Sequence, residues 1–429
     1  MPEVFPFRAV HYREMSRLKS LIAPPYDVIS PAQQQALYDE SPFNIVRLEL
    51  GKSGRNKDPE SRYREAAARL RQWVVDEVLV QDQDPFFYVY RQTYQLPDHA
   101  PRTRTAVFAE VGLEDFSTGK IRPHEETFSG PKEDRLKLLR ATRANISPVF
   151  GLYPDTPEAA FILEEEASTA AAADFMDTAG IRHRLWRLRN PDKCEIVTQA
   201  LADKTILIAD GHHRYETALE YRNERRKQTP DLKGAWYERV MFALVSMSDP
   251  GLVALPTHRI LRGADPRKLQ GWRERLHRAI ITPVAPDAAS ARQALRGSLA
   301  EDGRRFVFVQ PGECWLVVWG AAVGSPVERL DVARLHREGL PAIAGSSDPH
   351  ELGITYTQDL KEAVNTVQRG EAPAAILLNP TPIEEVDLVA ASGARMPEKS
   401  TYFYPKLPTG LVLRVDTGEE SVKEEGRPH

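Results

Sequence analysis

Apolar and polar positions along this chain repeat in two rhythms, one of about 3.6 residues and one of 2, and the rhythm switches many times. "SPAQQQALYDE" (30–40) opens with Ser30 and Pro31, a helix-start signal. "FNIVRLEL" (43–50) is rich in β-formers and ends at Gly51, which predicts a strand followed by an exposed loop, "GKSGRNKDPES". Residues 60–80 carry apolar positions at helical spacing, with Tyr63, Ala67, Leu70 and Val74 on one face. "PFFYVYRQTYQL" and "RTAVFAEVGLED" alternate as strands do, and the connector "PDHAPRT" makes them an antiparallel pair.

The stretch "KIRPHEETFSGPKEDRLKLLRATRANISPVFGLY" begins as a loop, turns helical near Pro131 and ends in a strand, "SPVFGLY". An Ala/Glu-rich helix is predicted over 157–178. "TILIAD" reads as a short buried strand and "YETALEYRNERRKQ" as a helix with a basic end. "ERVMFALVSMSDPGLVALPTHRIL" supplies a strand, a turn and a loop. From about residue 265 come a helix, a hairpin-like pair ("RRFVFVQ", "CWLVVWG") and helix–strand alternation through "APAAILLNP" to "GLVLRVD". The order predicts an α+β fold. A mixed-sheet N-terminal part covers 1–264, a smaller α/β part covers 265–416, and a charged tail covers 417–429.

Composition narrows the class. With 41% apolar and 28% charged residues, the 429-residue chain is expected to be globular and soluble. The net charge of −4 gives no general attraction to polyanions, so nucleic-acid binding would need a local patch. The patch "RNERRK" (222–227) is short and fits a solvated helix end. Cys194 and Cys314 are far apart, which argues against a disulfide framework or a zinc site. The N-terminus lacks a signal-peptide pattern and no apolar run reaches membrane length, so a cytoplasmic location is expected.

"TILIADGHHRYETALEY" (205–221) concentrates the chemistry. A strand that turns at a glycine into a helix aims backbone N–H groups and the helix dipole at one point, which suits an anion. Gly211 would admit a phosphate to the backbone. Arg214 would bind phosphate oxygens bidentately. His212 and His213 can donate to phosphate, or one can move a proton. Asp210 can hold Mg²⁺ or orient a histidine. The plainer alternative is a helix cap with surface histidines. A metal shared by both histidines is disfavoured, because neighbours on a helix diverge by about 100°.

A second cluster is "RPHEETFSGPKEDR". His124, Glu125 and Glu126 fall in its loop, and either glutamate can serve as a general base toward a hydroxyl. Lys132 and Arg135 occupy the first helical turn, where the dipole disfavours cations unless an anion compensates. Weaker signals are Asp27 in "IAPPYDVIS", His258 and Arg259 in "LPTHRIL", and Lys399, Ser400 and Thr401 in "EKSTYFYPKLP". "GKSGR" is no P-loop, because position 46 is valine where a glycine is required.

"IADGHHRYETAL" resembles the signature of the prokaryotic domain-of-unknown-function family 1015, as do "IAPPYDVIS", "FNIVRLEL", "HEETFSGPKEDRLKLLRATRANISPVFGLY", "MSDPGLVALPTHR" and "MPEKSTYFYPKLPTGLVL". The resemblance spans nearly the whole chain. The Asp-Gly-His-His-Arg run is more distantly similar to the phosphate box of the ParB/sulfiredoxin-like fold, especially its free-serine kinases. That resemblance implies a ParB/sulfiredoxin-like nucleotide-binding core in the N-terminal part. It also implies phosphate contacts from Gly211, His212, His213 and Arg214, with Asp210 nearby; the anion that Lys132 and Arg135 call for in their helical turn makes them candidate nucleotide contacts as well.

The expected function is therefore an ATP- or ADP-dependent phosphotransferase, with Mg²⁺ at Asp210, acting on a small hydroxylated, serine-like metabolite. Glu125, Glu126, His213 and Asp210 are the catalytic candidates. The rivals are a ParB-like nucleotide-binding regulator and a metal-dependent hydrolase. Expected partners are a nucleotide and a small substrate, with no membrane and no nucleic acid, and a homodimer is allowed.

Overall fold

The computed structural model describes residues 3–52, 58, 60–97, 99–127, 129–228, 234–296, 304–320 and 324–418. Most of the loop expected after Gly51 and of the charged tail (417–429) lies outside the described residues. The chain forms two compact units. The first comprises the described residues of Met1–Pro123, Thr127–Leu252 and Pro405–His429, and the second those of His124–Glu126 and Val253–Tyr404.

The first unit is built on a nine-stranded mixed sheet. Its order runs Ile121–Arg122, Ile206–Asp210, Val149–Tyr153, Arg239–Ser246, Arg102–Gly112, Phe87–Tyr94, Arg182–Leu188 and Ala173–Met176, with Val4–Phe5 also on Arg102–Gly112. Two contacts are parallel, Ile206–Asp210 with Ile121–Arg122 and Arg239–Ser246 with Val149–Tyr153. The expected pair Phe87–Tyr94 and Arg102–Gly112 is antiparallel, with Val89 opposite Val107. One face of the sheet (Val89, Val107, Ala109, Phe242, Leu244, Ile208) packs on Ile162, Val197 and Tyr215 of three helices. Each fully buried Val, Leu, Ile or Phe among them contributes about 1.5–3 kcal/mol.

The second unit holds a six-stranded antiparallel sheet in the order Ala279–Val284, Glu313–Trp319, Arg305–Gln310, Ala374–Leu378, His258–Leu261, Ile354–Thr357. It includes the expected hairpin Arg305–Gln310 with Glu313–Trp319. Both faces of its central strands are covered. Phe306 and Phe308 face one core cluster, Val307 and Val309 the other. The fold is α+β, with one large mixed sheet and several smaller sheets.

The helix over 30–40 starts as its sequence predicts. Ser30 accepts from Gln33 N while the Gln33 side chain accepts from Ser30 N, and Pro31 follows the cap. Other expectations are corrected. "FNIVRLEL" is not a strand but carries a buried helical turn, Val46–Glu49. Asn44 decides this, because its Oδ1 accepts from Val46 N at 2.9 Å and its Nδ2 donates to Ser20 O and Ile22 O. In the helix Ser61–Val75 the buried face is Tyr63, Ala67, Leu70 and Trp73, whereas Val74 is 43% exposed. The helix expected over 157–178 stops at Ala167. Ser168 and Thr169 turn their hydroxyls back to Glu165 O and Glu166 O, and Ala173–Met176 becomes a strand. No helix among the described residues is long and apolar enough to cross a membrane.

Candidate functional site

The strand Ile206–Asp210 is buried through "ILIA" and emerges at Asp210. Its register against Val149–Tyr153 shifts between Ile208 and Asp210, a bulge that re-aims the last side chain. Gly211 follows with φ +89°, and the helix His212–Gln228 begins at once, Tyr215 N donating to Gly211 O at 3.0 Å. Asp210–Arg214 therefore sits at a strand-to-helix junction, with the positive end of the helix dipole at the turn.

Gly211 is required for two reasons. Its φ is left-handed, and a Cβ there would lie 2.9 Å from Arg214 Nε and Nη2. The space over its Cα thus holds the Arg214 guanidinium. Arg214 reaches Pro148 O and lies 3.9 Å from Asp210 Oδ1. Its Nε is buried and has no hydrogen-bond partner among the described residues.

Asp210 is held on both oxygens. Oδ1 accepts from Gly211 N at 2.7 Å and Oδ2 from Lys406 Nζ at 2.8 Å. Burial alone would raise its pKa, but Lys406, Arg214 and His212 outweigh that and keep it well below the usual carboxylate range. Lys406 is aimed by its neighbours. Gln92 Nε2 donates to Lys406 O at 3.1 Å, and the buried Arg104 donates to Pro405 O at 2.5 Å and to Gln92 Oε1. Arg104 stands 4.8 Å over the Phe150 ring and is close enough to feel Asp210; burial pushes its pKa down to about 10. Two cations, Arg214 and Lys406, thus gather round the Asp210 carboxylate, while Arg104 lies between the fields of Asp249 and Asp210. That excess, with side chains 12–20% exposed at Arg214, Lys406 and Asp210, favours an anion from solvent.

Lys406 and Arg104 are members of this neighbourhood that the sequence motifs do not single out. A signal existed for Arg104, which shares strand parity with the buried Ala106 and Phe108. Lys406 lies 196 positions from Asp210, within "EKSTYFYPKLP", where Lys399, Ser400 and Thr401 draw attention instead.

His212 is buried and His213 partly exposed on the first helical turn. Lys132 pairs with Glu216 at 3.1 Å. Arg135 is buried, bonded to Glu49 and Asp134, and stacks 4.1 Å from the Tyr26 ring. Arg214, Arg135, Glu49 and Ser147 line a cavity of about 40 Å³, enough for water but not for a nucleotide.

In the second unit, Glu125 Oε1 accepts from Ser400 N, Thr401 N and Thr401 Oγ1, so it fastens that turn. Glu126 is exposed. Buried His258 accepts from Leu378 N, and burial followed by Arg259 pushes its pKa down to about 4. Arg259 is also interior. Among the described residues no three His, Cys, Asp or Glu side chains come together as a metal-ligand group.

A family model described as "Protein of unknown function (DUF1015)" matches residues 4–333. The chain belongs to this family. Comparison with curated proteins finds no match. Several solved structures match at low similarity. A glutamate-to-alanine variant of a free serine kinase in complex with AMP is 15% identical, with a TM-score of 0.40, covering 76% of this chain and 96% of that one. A conserved hypothetical protein from Pyrococcus furiosus is 15% identical, with a TM-score of 0.37, over 72% and 95% of the two chains. SbnI with a C-terminal truncation, from Staphylococcus aureus, is 10% identical, with a TM-score of 0.36, over 74% and 90%.

Proposed function

We propose that the junction at Asp210–Arg214 binds the phosphates of ATP or ADP and that the protein transfers a phosphoryl group to a small hydroxylated metabolite. The observation that carries this reading is the convergence of Arg214 and Lys406 on the single carboxylate of Asp210 at a helix start. Phosphoryl transfer asks a protein chiefly for positioning and charge neutralisation, which such a cluster supplies. Arg214 contributes most, since its buried Nε is unpartnered. Asp210 is a poor base while Lys406 and Arg214 hold it ionised, and it orients the cations instead. Within this unit His213 takes the hydroxyl proton. The residues do not form a protein site for Mg²⁺, because both Asp210 oxygens are engaged, by Lys406 and by Gly211 N.

Calorimetric titration with ADP and with a non-hydrolysable ATP analogue tests the reading. Arg214→Ala should weaken binding by roughly tenfold to a hundredfold, the range for loss of a charge-assisted contact. His213→Gln should leave binding near the parent value and slow transfer. Binding of both nucleotides to Arg214→Ala at parental affinity would place the site elsewhere. If Glu126→Gln abolished transfer while His213→Gln did not, the base would be Glu126.

A further inference from the structure

The stretch "SMSDPG" (246–251), which plays no part in the proposed phosphate site, shapes a separate cavity of about 410 Å³ in the first unit. Asp249 folds the loop onto the sheet, accepting from Thr105 N at 2.9 Å and from Gly251 N at 2.7 Å. Tyr94 Oη donates to Gly251 O at 2.8 Å. A Cβ on Gly251 would come within 2.3 Å of the Thr103 carbonyl, so only glycine lets the loop lie this close. The cavity is therefore preformed.

Two arginines, Arg91 and Arg184, and three carboxylates, Asp155, Glu164 and Asp249, line it, and they are not all paired with one another. Arg91 and Arg184 are directly opposite each other on the antiparallel strands Phe87–Tyr94 and Arg182–Leu188. Like charges at such a pair are destabilising. Glu164 pairs with Arg91, whose Nε also donates to Thr105 Oγ1 at 3.0 Å. Asp174, opposite Arg184 on the other side, is spent on a two-point pair with Arg182 at 2.8 and 2.6 Å. Arg184 has no carboxylate partner within ion-pair distance among the described residues, and its buried Nε has no hydrogen-bond partner. Its guanidinium rests 5.5 Å from the Trp186 ring. Facing these cations are the hydroxyls of Ser246 and Ser248, 2.9 Å apart, with Asp155 accepting from Ser246 at 3.2 Å. Leu163 and Ala160 give the cavity an apolar wall.

We propose that this cavity binds a small metabolite carrying an oxyanion beside one or more hydroxyls. The carboxylate or phosphate sits on Arg184, flanked by Arg91, and the hydroxyls bond to Ser246, Ser248 and Asp155. The volume suits a compact ligand at the low end of small-molecule sites. An oxyanion gives Arg184 the partner that Glu164 gives Arg91. The site shares no lining residue with the cluster round Asp210 and stands whether or not that cluster binds nucleotide.

The test uses the full chain and three probes, glycerate, malate and glycerol phosphate, read by thermal shift and calorimetry. At least one probe is expected to bind. A response to glycerate and malate alone assigns a carboxylate, and a response to glycerol phosphate alone assigns a phosphate. Arg184→Gln should weaken that binding roughly tenfold or more, whereas Arg214→Ala should not change it. Without probe, Arg184→Gln should melt at or above the parent temperature, because it removes a like-charge contact. The proposal is overturned if no probe binds at millimolar concentration, if Arg184→Gln binds as the parent does, or if Arg184→Gln alone lowers the melting temperature by several degrees.

Discussion

Asp210 keeps its charge at a depth where a lone carboxylate would take up a proton, and it does so because Lys406 sits 2.8 Å away with Arg214 beside it. The folded-state pKa of Asp210 lies below its unfolded-state value. Its ionised form therefore contributes stability that is fully present above the unfolded-state pKa and is lost as pH falls through the folded-state one. Lys406→Met removes the nearest cation and moves the folded pKa upward. The variant should be less stable near neutral pH by about 1–3 kcal/mol, and the deficit should shrink below the ordinary carboxylate range, where protonation relieves the variant first. Urea unfolding across that pH range checks the sign, and a deficit that grows in acid would refute the coupling. At this scale the sequence marked the local members of the cluster, since Asp210, Gly211 and Arg214 adjoin one another. Lys406 and Arg104 are brought to this neighbourhood only by the tertiary fold, although the strand parity of Arg104 with Ala106 and Phe108 marks it as inward-facing.

Among the elements, those legible in the sequence are the ones whose signals are local and agree. Ser30, Pro31 and Gln33 specify one helix start, and β-rich runs on either side of a short connector specify the antiparallel strands Phe87–Tyr94 and Arg102–Gly112. "FNIVRLEL" misleads because its β-rich composition is overridden by one side chain. Asn44 is wholly buried and makes three hydrogen bonds, one to the turn it starts and two to the preceding segment at Ser20 and Ile22. Asn44→Ala should strand those buried backbone groups and cost about 1–3 kcal/mol. Urea denaturation measures it, and a change within about 0.5 kcal/mol would mean that Val46–Glu49 holds its helical turn without the cap. The Ala/Glu run at 157–178 fails for a similar reason. Helix propensity favours continuation, but Ser168 and Thr169 satisfy the end carbonyls, and the chain is free to supply the edge strand Ala173–Met176.

At the scale of the whole molecule, the first unit closes only when the chain returns to it at Pro405. The returning segment enters the unit in several places. Val10 and Leu413 exchange backbone hydrogen bonds at 2.9 and 2.8 Å, and Ala23 and Thr409 do the same at 3.1 and 2.7 Å. Leu411, Val412 and Leu413 are buried. Arg414 is interior, pairing with Glu110, whose side chain is 3% exposed, and donating to Trp236 O and Arg239 O. A chain ending at Tyr404 would lose Lys406 from Asp210, Pro405 O from Arg104 and Arg414 from Glu110. Each leaves a buried charge with fewer partners, a defect of about 3–5 kcal/mol where the pair is fully interior. Arg239, 3.4 Å from Glu110, compensates only in part. Two or three such defects, with the lost apolar burial, match the whole stability of an ordinary domain, about 5–15 kcal/mol. The truncated chain should therefore lose amide-exchange protection in the strands Arg102–Gly112 and Arg239–Ser246, while the sheet of the second unit, which receives no strand from the removed segment, keeps its protection. Supplying residues 405–418 as a separate peptide should restore protection in the first unit in a concentration-dependent way. Parental protection of those two strands in the truncated chain would show that the unit is complete without its last segment, and that Lys406 is not needed to keep Asp210 ionised within a folded site.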